Sequence, residues 1–494
     1  MEPTTEVAEG TERYRALRHE LEVGILPLST SLDGRRFTFQ ASLHGLEVRV
    51  GGFVVVTTED GGAALGQVLE LGLAEHDVAV DGGAVTLRHA AGAGELLAPG
   101  RPFHDALLRP ATADEVGGWV AARAASGTLL RIGTLALAAP APCMVDAGGF
   151  DRHTFLCGQS GSGKTYALGV LLERLLIETD LRIVVLDPNS DFTRLAAVRD
   201  GADPALAERL RAVAGAIAVH TAAPDPARPT DARLRLRLAE LTTAARAALL
   251  RLDPIRDLEE YAELAAFMAS GQPPTTAALE ATGRPDALRL AQRARNLGIE
   301  AFGLWARGDA GSTLDALADP SVRCLVVDLG SLPTREEQAL VAGAVLADLW
   351  RRREERDPLL VVVDEAHNVC PAEPEDALTA LATEHAIRLA AEGRKFGRYL
   401  FVSTQRPQKV HANVTSQCDN LLLMRLNSAA DVALVEQRFS FAPAGLLAQA
   451  PAFGLGEALV AGKLSPTPQL LRVDPRVSRE GGADVAADWL PRVS

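Results

Sequence analysis

One eight-residue segment of this chain has the residue types and spacing of a phosphate-binding loop. Gly158–Thr165 reads G-x-x-x-x-G-K-T and follows the apolar, strand-like run Thr154–Cys157. Glycines at such positions let backbone N–H groups surround phosphate oxygens, while the lysine reaches the β- and γ-phosphates and the final hydroxyl holds Mg²⁺. We therefore predict a nucleoside triphosphate and Mg²⁺ here, bound through Gly158, Ser160, Gly161, Ser162, Gly163, Lys164 and Thr165.

A second segment places two carboxylates at the end of an apolar strand. Leu359–Val363 is followed directly by Asp364 and Glu365. Such a run suits a central parallel strand covered on both faces, and α/β folds bind ligands at the carboxyl ends of these strands. Asp364 would reach Mg²⁺ through a water, and Glu365 would polarise the attacking water as general base. The alternative, a pair that only caps the next helix, leaves the upstream loop unexplained. The two motifs together predict hydrolysis.

Two further strand ends carry polar side chains. Gln405 follows the apolar run Phe401–Thr404. In P-loop ATPases with a catalytic glutamate, a polar residue on the strand between the loop strand and the acidic strand commonly senses the γ-phosphate, and Gln405 is predicted to do so. Asp187 ends the strand Ile183–Asp187. It either contacts nucleotide-bound water or makes the turn that Asp-Pro-Asn-Ser favours. The residues leave both open.

A basic segment, Glu392–Arg398, precedes the Gln405 strand. Cations at the end of a helix are mildly favourable, so a solvated helix terminus explains the pattern. An arginine inserted into a neighbouring subunit's site explains it as well, and such arginines contribute on the order of 10³–10⁵ in rate. The residues alone do not decide between these explanations.

Periodicity divides the chain into an α/β core and flanking parts. Short alternating strands with glycine turns near the N-terminus predict a small β-barrel. Strands that alternate with helices predict a parallel sheet with crossover helices. The predicted parts are a tail at 1–27, the barrel at 28–100, a connector at 101–150, the ATPase domain at 151–435 with a helical insertion at about 198–321, and a C-terminal hairpin (456–462) and tail within 436–494.

Composition bounds the surroundings of the protein. Net charge is −14, which argues against a general nucleic-acid coat but leaves a basic channel open. Five cysteines are scattered without metal-site spacing, so buried free thiols are expected. No apolar run reaches the about 18 residues of a membrane span, and the acidic start lacks a signal peptide's basic residues. A cytoplasmic protein without membrane contact is expected.

The order of these motifs resembles that of a known family. Arg152-His153, the loop G-Q-S-G-S-G-K-T, V-V-L-D-P-N-S-D-F, V-V-V-D-E-A-H-N, E-G-R-K-F-G and S-T-Q-R-P follow one another along the chain. In this set the chain is similar to the HerA family of hexameric DNA-translocating ATPases, relatives of FtsK. The resemblance implies a RecA-like core of the ASCE class (additional strand, catalytic glutamate). It also implies that the predicted barrel is a HAS barrel.

The resemblance further implies a homohexameric ring with ATP between subunits. Lys164, Thr165, Asp364, Glu365 and Gln405 would act within one subunit. Two arginines would act at the interface: Arg394 supplied in trans and Arg152 as a second nucleotide-responsive group. Arg398 and Arg406 compete for the role of Arg394, because a one-turn slip in placement exchanges them.

The expected partners follow from the same resemblance. Double-stranded DNA would pass through the central pore, for which Lys409 and His411 are candidate contacts. A nuclease similar to NurA, or another defence effector, would dock on the barrel face. No nuclease motif is present, so any cutting must come from that partner.

Two functions remain in competition at this point. The first is an ATP-driven translocase on duplex DNA that serves DNA-end processing or anti-phage defence. The second is an ATP-regulated hexameric scaffold that assembles and controls an effector without processive movement. The same loop and carboxylates serve both. A secretion or conjugation ATPase fits less well, because those relatives usually carry membrane segments.

Overall fold

A computed structural model describes residues 5–80, 83–124, 127–270 and 275–482. The ends of the two predicted tails, 1–4 and 483–494, lie outside this range. The segment assigned to the N-terminal tail begins with a long helix, α1 (Thr5–Val23). Among the described helices, none is both long enough and apolar enough to cross a lipid bilayer.

The N-terminal strands of the described chain close a barrel in the order β1-β2-β5-β4-β3-β6. Alternate residues of the second strand, Phe37, Phe39 and Ala41, are buried in its interior, as the period of two requires. The strands are β1 (Leu28–Ser31), β2 (Arg36–Ser42), β3 (Phe53–Thr57), β4 (Ala63–Val80), β5 (Gly83–Leu96) and β6 (Phe103–Pro110).

The predicted barrel boundary at residue 100 is wrong. Strand β6 lies in the stretch assigned to the connector, yet it pairs with both β1 and β3 and so closes the barrel. Its alternation is weak, because only Ala106 and Leu108 of its eight residues are buried. That weakness explains why the pattern missed it. Whether this barrel is of the HAS type stays a prediction.

The rest of the described chain builds one twelve-stranded sheet, in the order β12-β11-β13-β10-β14-β15-β9-β16-β17-β18-β7-β8. The strands from β12 to β16 in this order are parallel, and the last four are antiparallel additions. Their bounds are β7 (Leu129–Leu135), β8 (Pro142–Asp146), β9 (His153–Cys157), β10 (Arg182–Asp187), β11 (Ile217–Thr221), β12 (Asp231–Arg233), β13 (Cys324–Asp328), β14 (Leu359–Val363), β15 (Arg398–Thr404), β16 (Cys418–Met424), β17 (Glu457–Gly462) and β18 (Gln469–Val473).

Helices cover both faces of this sheet, so the predicted α/β class with a RecA-like P-loop core is confirmed. Besides α1 they are α2 (Ala113–Ala124), α3 (Lys164–Glu178), α4 (Pro204–Val213), α5 (Thr243–Leu249), α6 (Leu258–Ala269), α7 (Thr276–Ala281), α8 (Pro285–Asn296), α9 (Thr313–Ala318), α10 (Arg335–Arg351), α11 (Ala377–Glu392), α12 (Ala412–Thr415), α13 (Ala429–Arg438) and α14 (Ala444–Leu447).

Three other predicted boundaries need correction. The helical insertion at 198–321 was expected to hold a strand near 234–238, but its strands are β11 and β12, which join the parallel sheet. The segment 456–462 is a single strand rather than a hairpin; β17 pairs with β16 on one side and β18 on the other. The ATPase sheet therefore continues past residue 435, and it also recruits β7 and β8 from the supposed connector.

Strand residues alternate between two large cores. In β10, Val184 and Leu186 pack with α10 and α11, while Ile183 and Val185 pack with α3 on the other face. All five cysteines are buried without a disulfide, as their spacing suggested. The strands are thus held from both sides, and only their ends are open to ligands.

A buried ion pair fixes the C-terminal segment to α3, the helix that follows the phosphate-binding loop. Glu173 accepts the backbone N–H groups of Val477 (2.8 Å) and Ser478 (2.7 Å) and lies 3.4 Å from the Nε of Arg476. Both charged side chains are fully buried. A Cβ at Gly169 would lie only 2.5 Å from the buried guanidinium of Arg476. The helix therefore needs glycine at this position.

We expect Glu173→Ala to lower the free energy of unfolding by about 3–5 kcal/mol, because removing one partner leaves a buried charge unpaired. Replacing both partners (Glu173→Leu with Arg476→Met) should recover much of the loss. Glu208→Ala on exposed α4 is the matched control. Chemical denaturation measures all three variants, and equal effects of Glu173→Ala and Glu208→Ala would contradict the assignment.

Candidate nucleotide site

The loop between β9 and α3 has the backbone of an anion-binding turn. Gly161 and Gly163 have φ angles of +73° and +95°, a region where other residues are strained. A Cβ at Gly158 would stand 2.7 Å from the Ser162 hydroxyl, so the loop closes tightly only with glycine. Helix α3 begins at Lys164 with no side-chain cap. Its first N–H groups are therefore available to an anion.

Contacts with the C-terminal half of the sheet hold this loop in place. The backbone N–H of Gln159 donates to the carbonyl of Arg425 (2.9 Å), and its side-chain oxygen accepts the N–H of Asn427 (3.2 Å). The side chain of Arg425 donates to the carbonyl of Gly161 (3.2 Å). The backbone N–H of Gly456 donates to the carbonyl of Ser162 (3.1 Å). The loop is therefore shaped before any ligand binds.

The ammonium group of Lys164 lies at the centre of a buried polar cluster. It donates to Asp364 (3.0 Å) and to the hydroxyl of Ser403 (3.1 Å), and it lies 3.0 Å from Glu365. Burial acts to lower the pKa of Lys164, but the two carboxylates outweigh burial and raise it above its usual value. The lysine is therefore charged, and it joins the loop to the two carboxylates that follow β14.

Glu365 stands in an unusual backbone conformation. Its φ of +41° is left-handed, which costs a non-glycine residue of order 1–3 kcal/mol. Its second carboxylate oxygen lies 3.2 Å from the Nδ1 of His367 and has no hydrogen-bond partner among the described residues. That histidine also contacts the hydroxyl of Thr404 (3.2 Å). Strain of this kind persists where the surroundings dictate a side-chain position.

Three carboxylates converge beside the lysine. Oxygens of Asp187, Asp191 and Asp364 lie within 4.8 Å of one another. Burial raises the pKa of Asp187 to about 8 and that of Asp191 to about 6. Asp187 also accepts the N–H groups of Asp191 (3.0 Å) and Phe192 (2.8 Å), so it makes the turn after β10 as well. Both explanations of this residue therefore have structural support.

These residues fit Mg²⁺ and a phosphate chain. Carboxylate oxygens are ligands that Mg²⁺ prefers, and it commonly keeps several waters. The second oxygen of Asp364 and the hydroxyl of Ser162 are buried without a hydrogen-bond partner among the described residues. Each such atom needs a partner. A hydrated cation and an anion would supply those partners. Thr165 lies in the first turn of α3, next to this cluster in sequence.

Gln405 lies at the same edge of the sheet. It follows β15 directly and is partly exposed. Strand β15 lies between β14, which carries the Walker B carboxylates, and β9, which leads into the loop. This is the strand position predicted for the sensing residue. The side chain can therefore approach a ligand held by the loop.

The two arginines that were predicted to act at a subunit interface, Arg152 and Arg394, lie at the opposite edge. Arg152 comes before β9 and Arg394 before β15, whereas the loop follows β9. The five residues of β9 separate the two ends of the strand by about 16 Å. Both arginines share one carboxylate: Arg394 lies 2.5 Å and Arg152 3.6 Å from Asp419 at the start of β16. Neither can reach the loop of its own chain.

The two competing arginines have different surroundings. Arg398 is 3% exposed, and its guanidinium donates to the carbonyls of Asp357 and Arg352. Burial lowers its pKa. Arg406 is exposed, but it follows β15 and so lies at the same edge as the loop of its own chain. Of the four arginines, only Arg152 and Arg394 combine partial exposure with the far edge.

Several residues of the site were missed from sequence. Ser403 contacts Lys164, Asp191 completes the carboxylate group, and His367 contacts Glu365. Asp419 pairs with both Arg152 and Arg394. Each lies within or beside a quoted motif, so position in those motifs was the available signal. The candidate pore residue His411 caps α12 by accepting the N–H of Asn413 (3.2 Å).

Fold and site together define a RecA-like P-loop fold with a candidate nucleotide site. A family model described as the central domain of the helicase HerA matches residues 130–279, a stretch that includes the loop. The chain is 28% identical over 183 residues to the DNA double-strand break repair helicase HerA of Sulfurisphaera tokodaii, covering 35% of this chain and 36% of that one. Over these stretches the chain is similar to members of the HerA family.

Other relatives match over similar lengths. The chain is 31% identical over 150 residues to a probable helicase of Methanocaldococcus jannaschii (29% of this chain, 28% of the relative). It is 33% identical over 117 residues to HerA of Pyrococcus furiosus (24% and 20%). The matched stretches thus span between 20% and 36% of these relatives.

Solved structures are more distant. VirB4 of Thermoanaerobacter pseudethanolicus is 16% identical with a TM-score of 0.46, covering 70% of this chain and 96% of VirB4. The bacterial conjugative coupling protein TrwB is 14% identical with a TM-score of 0.47, covering 74% and 92%. Both scores lie below 0.5, so the fold description rests on the strand order given above.

Burial predicts different roles for Arg398 and Arg394. We expect Arg398→Met to lower the free energy of unfolding, because it removes two hydrogen bonds from a charged donor, and such bonds contribute about 1.5–3 kcal/mol each. Arg394→Met removes a half-exposed ion pair, worth about 1 kcal/mol or less. Denaturation of both variants checks this. A stable Arg398→Met chain beside an unfolded Arg394→Met chain would reverse the assignment.

Proposed function

We propose that this protein is an ATP-driven, helicase-type motor that acts on double-stranded DNA as a homohexameric ring. The observation that carries the proposal is the division of the site between two edges of one sheet. The loop, the Lys164 cluster and Gln405 lie at one edge, and the arginine pair joined by Asp419 lies at the other. A head-to-tail ring brings such edges of successive copies together, and closes on itself.

Within one copy, each residue has a chemical role. The loop amides and Lys164 would hold the phosphates of ATP, while Thr165 and, through water, Asp364 would hold Mg²⁺, which neutralises phosphate charge when bound. Glu365 would take the proton of the attacking water, and Gln405 would orient that water or contact the γ-phosphate. Lys164 must exchange carboxylate contacts for phosphate contacts when ATP binds, which frees Glu365 to act as base.

Between copies, the arginines would complete the site. Arg394 is the proposed group supplied in trans, and Arg152 the second interface group. Because Asp419 holds both, it acts as a positioning residue: it keeps Arg394 oriented until a neighbour's phosphates compete for the guanidinium. Cations placed where charge develops in the transition state are among the largest contributions to phosphoryl transfer.

Duplex DNA in the ring's pore is supported by the similarity to HerA relatives, which are DNA double-strand break repair helicases. A NurA-like nuclease or another effector on the barrel face would supply cutting, for DNA-end processing or anti-phage defence. The net charge of −14 favours the second candidate, an ATP-regulated scaffold that controls an effector without processive movement.

The motor and the scaffold differ in their response to DNA. We expect duplex DNA to raise ATP turnover several-fold without any partner, and the stimulation to fade as salt rises, because phosphate contacts release counterions. A phosphate-release assay across a salt series measures this. Glu365→Gln is the control: it should retain ATP but lose about 10²–10⁴ in turnover. DNA-independent turnover in the unmodified chain would favour the scaffold.

Subunit mixing tests whether Arg394 acts in trans. We expect Arg394→Ala and Lys164→Ala chains to be inactive alone and to regain activity when mixed, because roughly one interface in four then has both groups under random head-to-tail assembly. ATP turnover across mixing ratios is the measurement. The Lys164→Ala/Arg394→Ala double variant should rescue neither. If mixing the two single variants restores no activity at any ratio, Arg394 does not act in trans.

A further inference from the structure

The helices between β12 and β13 enclose a cavity that the nucleotide site does not use. Its volume is about 410 Å³, within the size range of small-molecule sites. Most of its lining is apolar and comes from several helices: Leu249 on α5, Leu264 on α6, Leu279 on α7 and Ala294 on α8. The inner wall is buried, whereas Arg307 at the rim is exposed. The cavity is therefore open to solvent at one end.

One charged side chain lies inside this apolar wall. Arg246 on α5 is 4% exposed and lines the cavity. Its Nε is buried without a hydrogen-bond partner among the described residues. Its guanidinium also forms no ion pair with any of those residues. Burial lowers its pKa to about 10, and no nearby carboxylate opposes the effect. A buried charge without a partner is costly. Among the described residues, this guanidinium has no carboxylate that would offset the cost.

Neighbouring groups do not supply that counterpart. Glu300 also lines the cavity, but one of its oxygens already accepts both the N–H (2.9 Å) and the hydroxyl (2.6 Å) of Thr276. Arg237, on the segment before α5, pairs with both Glu240 and Asp315, as arginines of this region ordinarily do. Arg246 differs from Arg237 in being buried without an ion pair among the described residues, so it places an unpaired positive charge in the cavity wall.

We propose that this cavity binds a small amphipathic carboxylate. The planar guanidinium of Arg246 matches a carboxylate with paired hydrogen bonds, and the leucines of α5, α6 and α7 receive the apolar body. The site lies apart from the nucleotide residues, and the proposal does not depend on ATP hydrolysis. A bound anion would supply the missing partner of the guanidinium and fill apolar space in one step.

Three eight-carbon probes test the head group on the full chain. Octanoate should raise the melting temperature and change the fluorescence of Trp305, which lines the cavity. Its affinity should exceed that of 1-octanol by about tenfold or more, as expected for a charge-assisted hydrogen bond. Octyl phosphate should bind no more tightly than octanoate. Equal affinities for octanoate and octanol, or tighter binding of octyl phosphate, would overturn the proposal.

Variants separate the charge from the cavity. In Arg246→Met the octanoate affinity should fall to that of octanol, while the free chain melts at the same or a higher temperature because an unpaired buried charge is gone. Arg256→Met, at an exposed position, is the matched control and should bind octanoate normally. Octanoate binding that survives Arg246→Met would refute the assignment.

A second variant keeps the proposal testable if Arg246→Met fails to fold. Ala294→Leu retains the guanidinium but places extra side-chain atoms in the cavity. We expect it to weaken octanoate and octanol alike by about tenfold or more, because both lose the space for their apolar chain. Unchanged octanoate binding in Ala294→Leu would show that the cavity is not the site.

Discussion

The buried ammonium of Lys164 is the interaction on which the rest of the site depends. It joins the loop after β9 to Asp364 and Glu365 after β14 and to Ser403 in β15. In a low-dielectric interior such charges act strongly on one another. Without the lysine, two carboxylates would face each other in the core. One side chain therefore sets the spacing of three strand ends, and the same contact must be exchanged when phosphates arrive.

The parallel sheet imposes a second constraint. Because every central strand runs in one direction, all carboxyl ends lie at one edge and all amino ends at the other. A five-residue strand of this sheet is about 16 Å long, and this length separates the two ends. Residues that precede strands, such as Arg152 and Arg394, are thereby kept away from residues that follow them. Chemistry that needs both groups needs a second copy of the chain, and this is the physical basis of the proposed ring.

Long-range contacts join the remaining parts to this frame. Gln67 of the barrel donates to the carbonyl of Pro468 (2.7 Å) and accepts from the hydroxyl of Thr467. Glu173 binds the segment after β18, and Arg425 and Gly456 hold the loop. The C-terminal part of the chain thus touches the barrel, the helix and the loop.

The sequence by itself determined the phosphate-binding loop, the acidic pair and the α/β class, because each depends on spacing within a few residues or on periodicity along one element. It could not separate Arg394 from Arg398, four residues away, since burial of Arg398 depends on carbonyls of Asp357 and Arg352 that approach only in the folded chain. The closing strand β6, the pairing of Asp419 with two arginines and the unpaired Arg246 were likewise decided by tertiary structure. Local spacing determines which chemistry a segment can perform, whereas packing between distant segments decides which side chains meet, which are buried and which stay free for a partner.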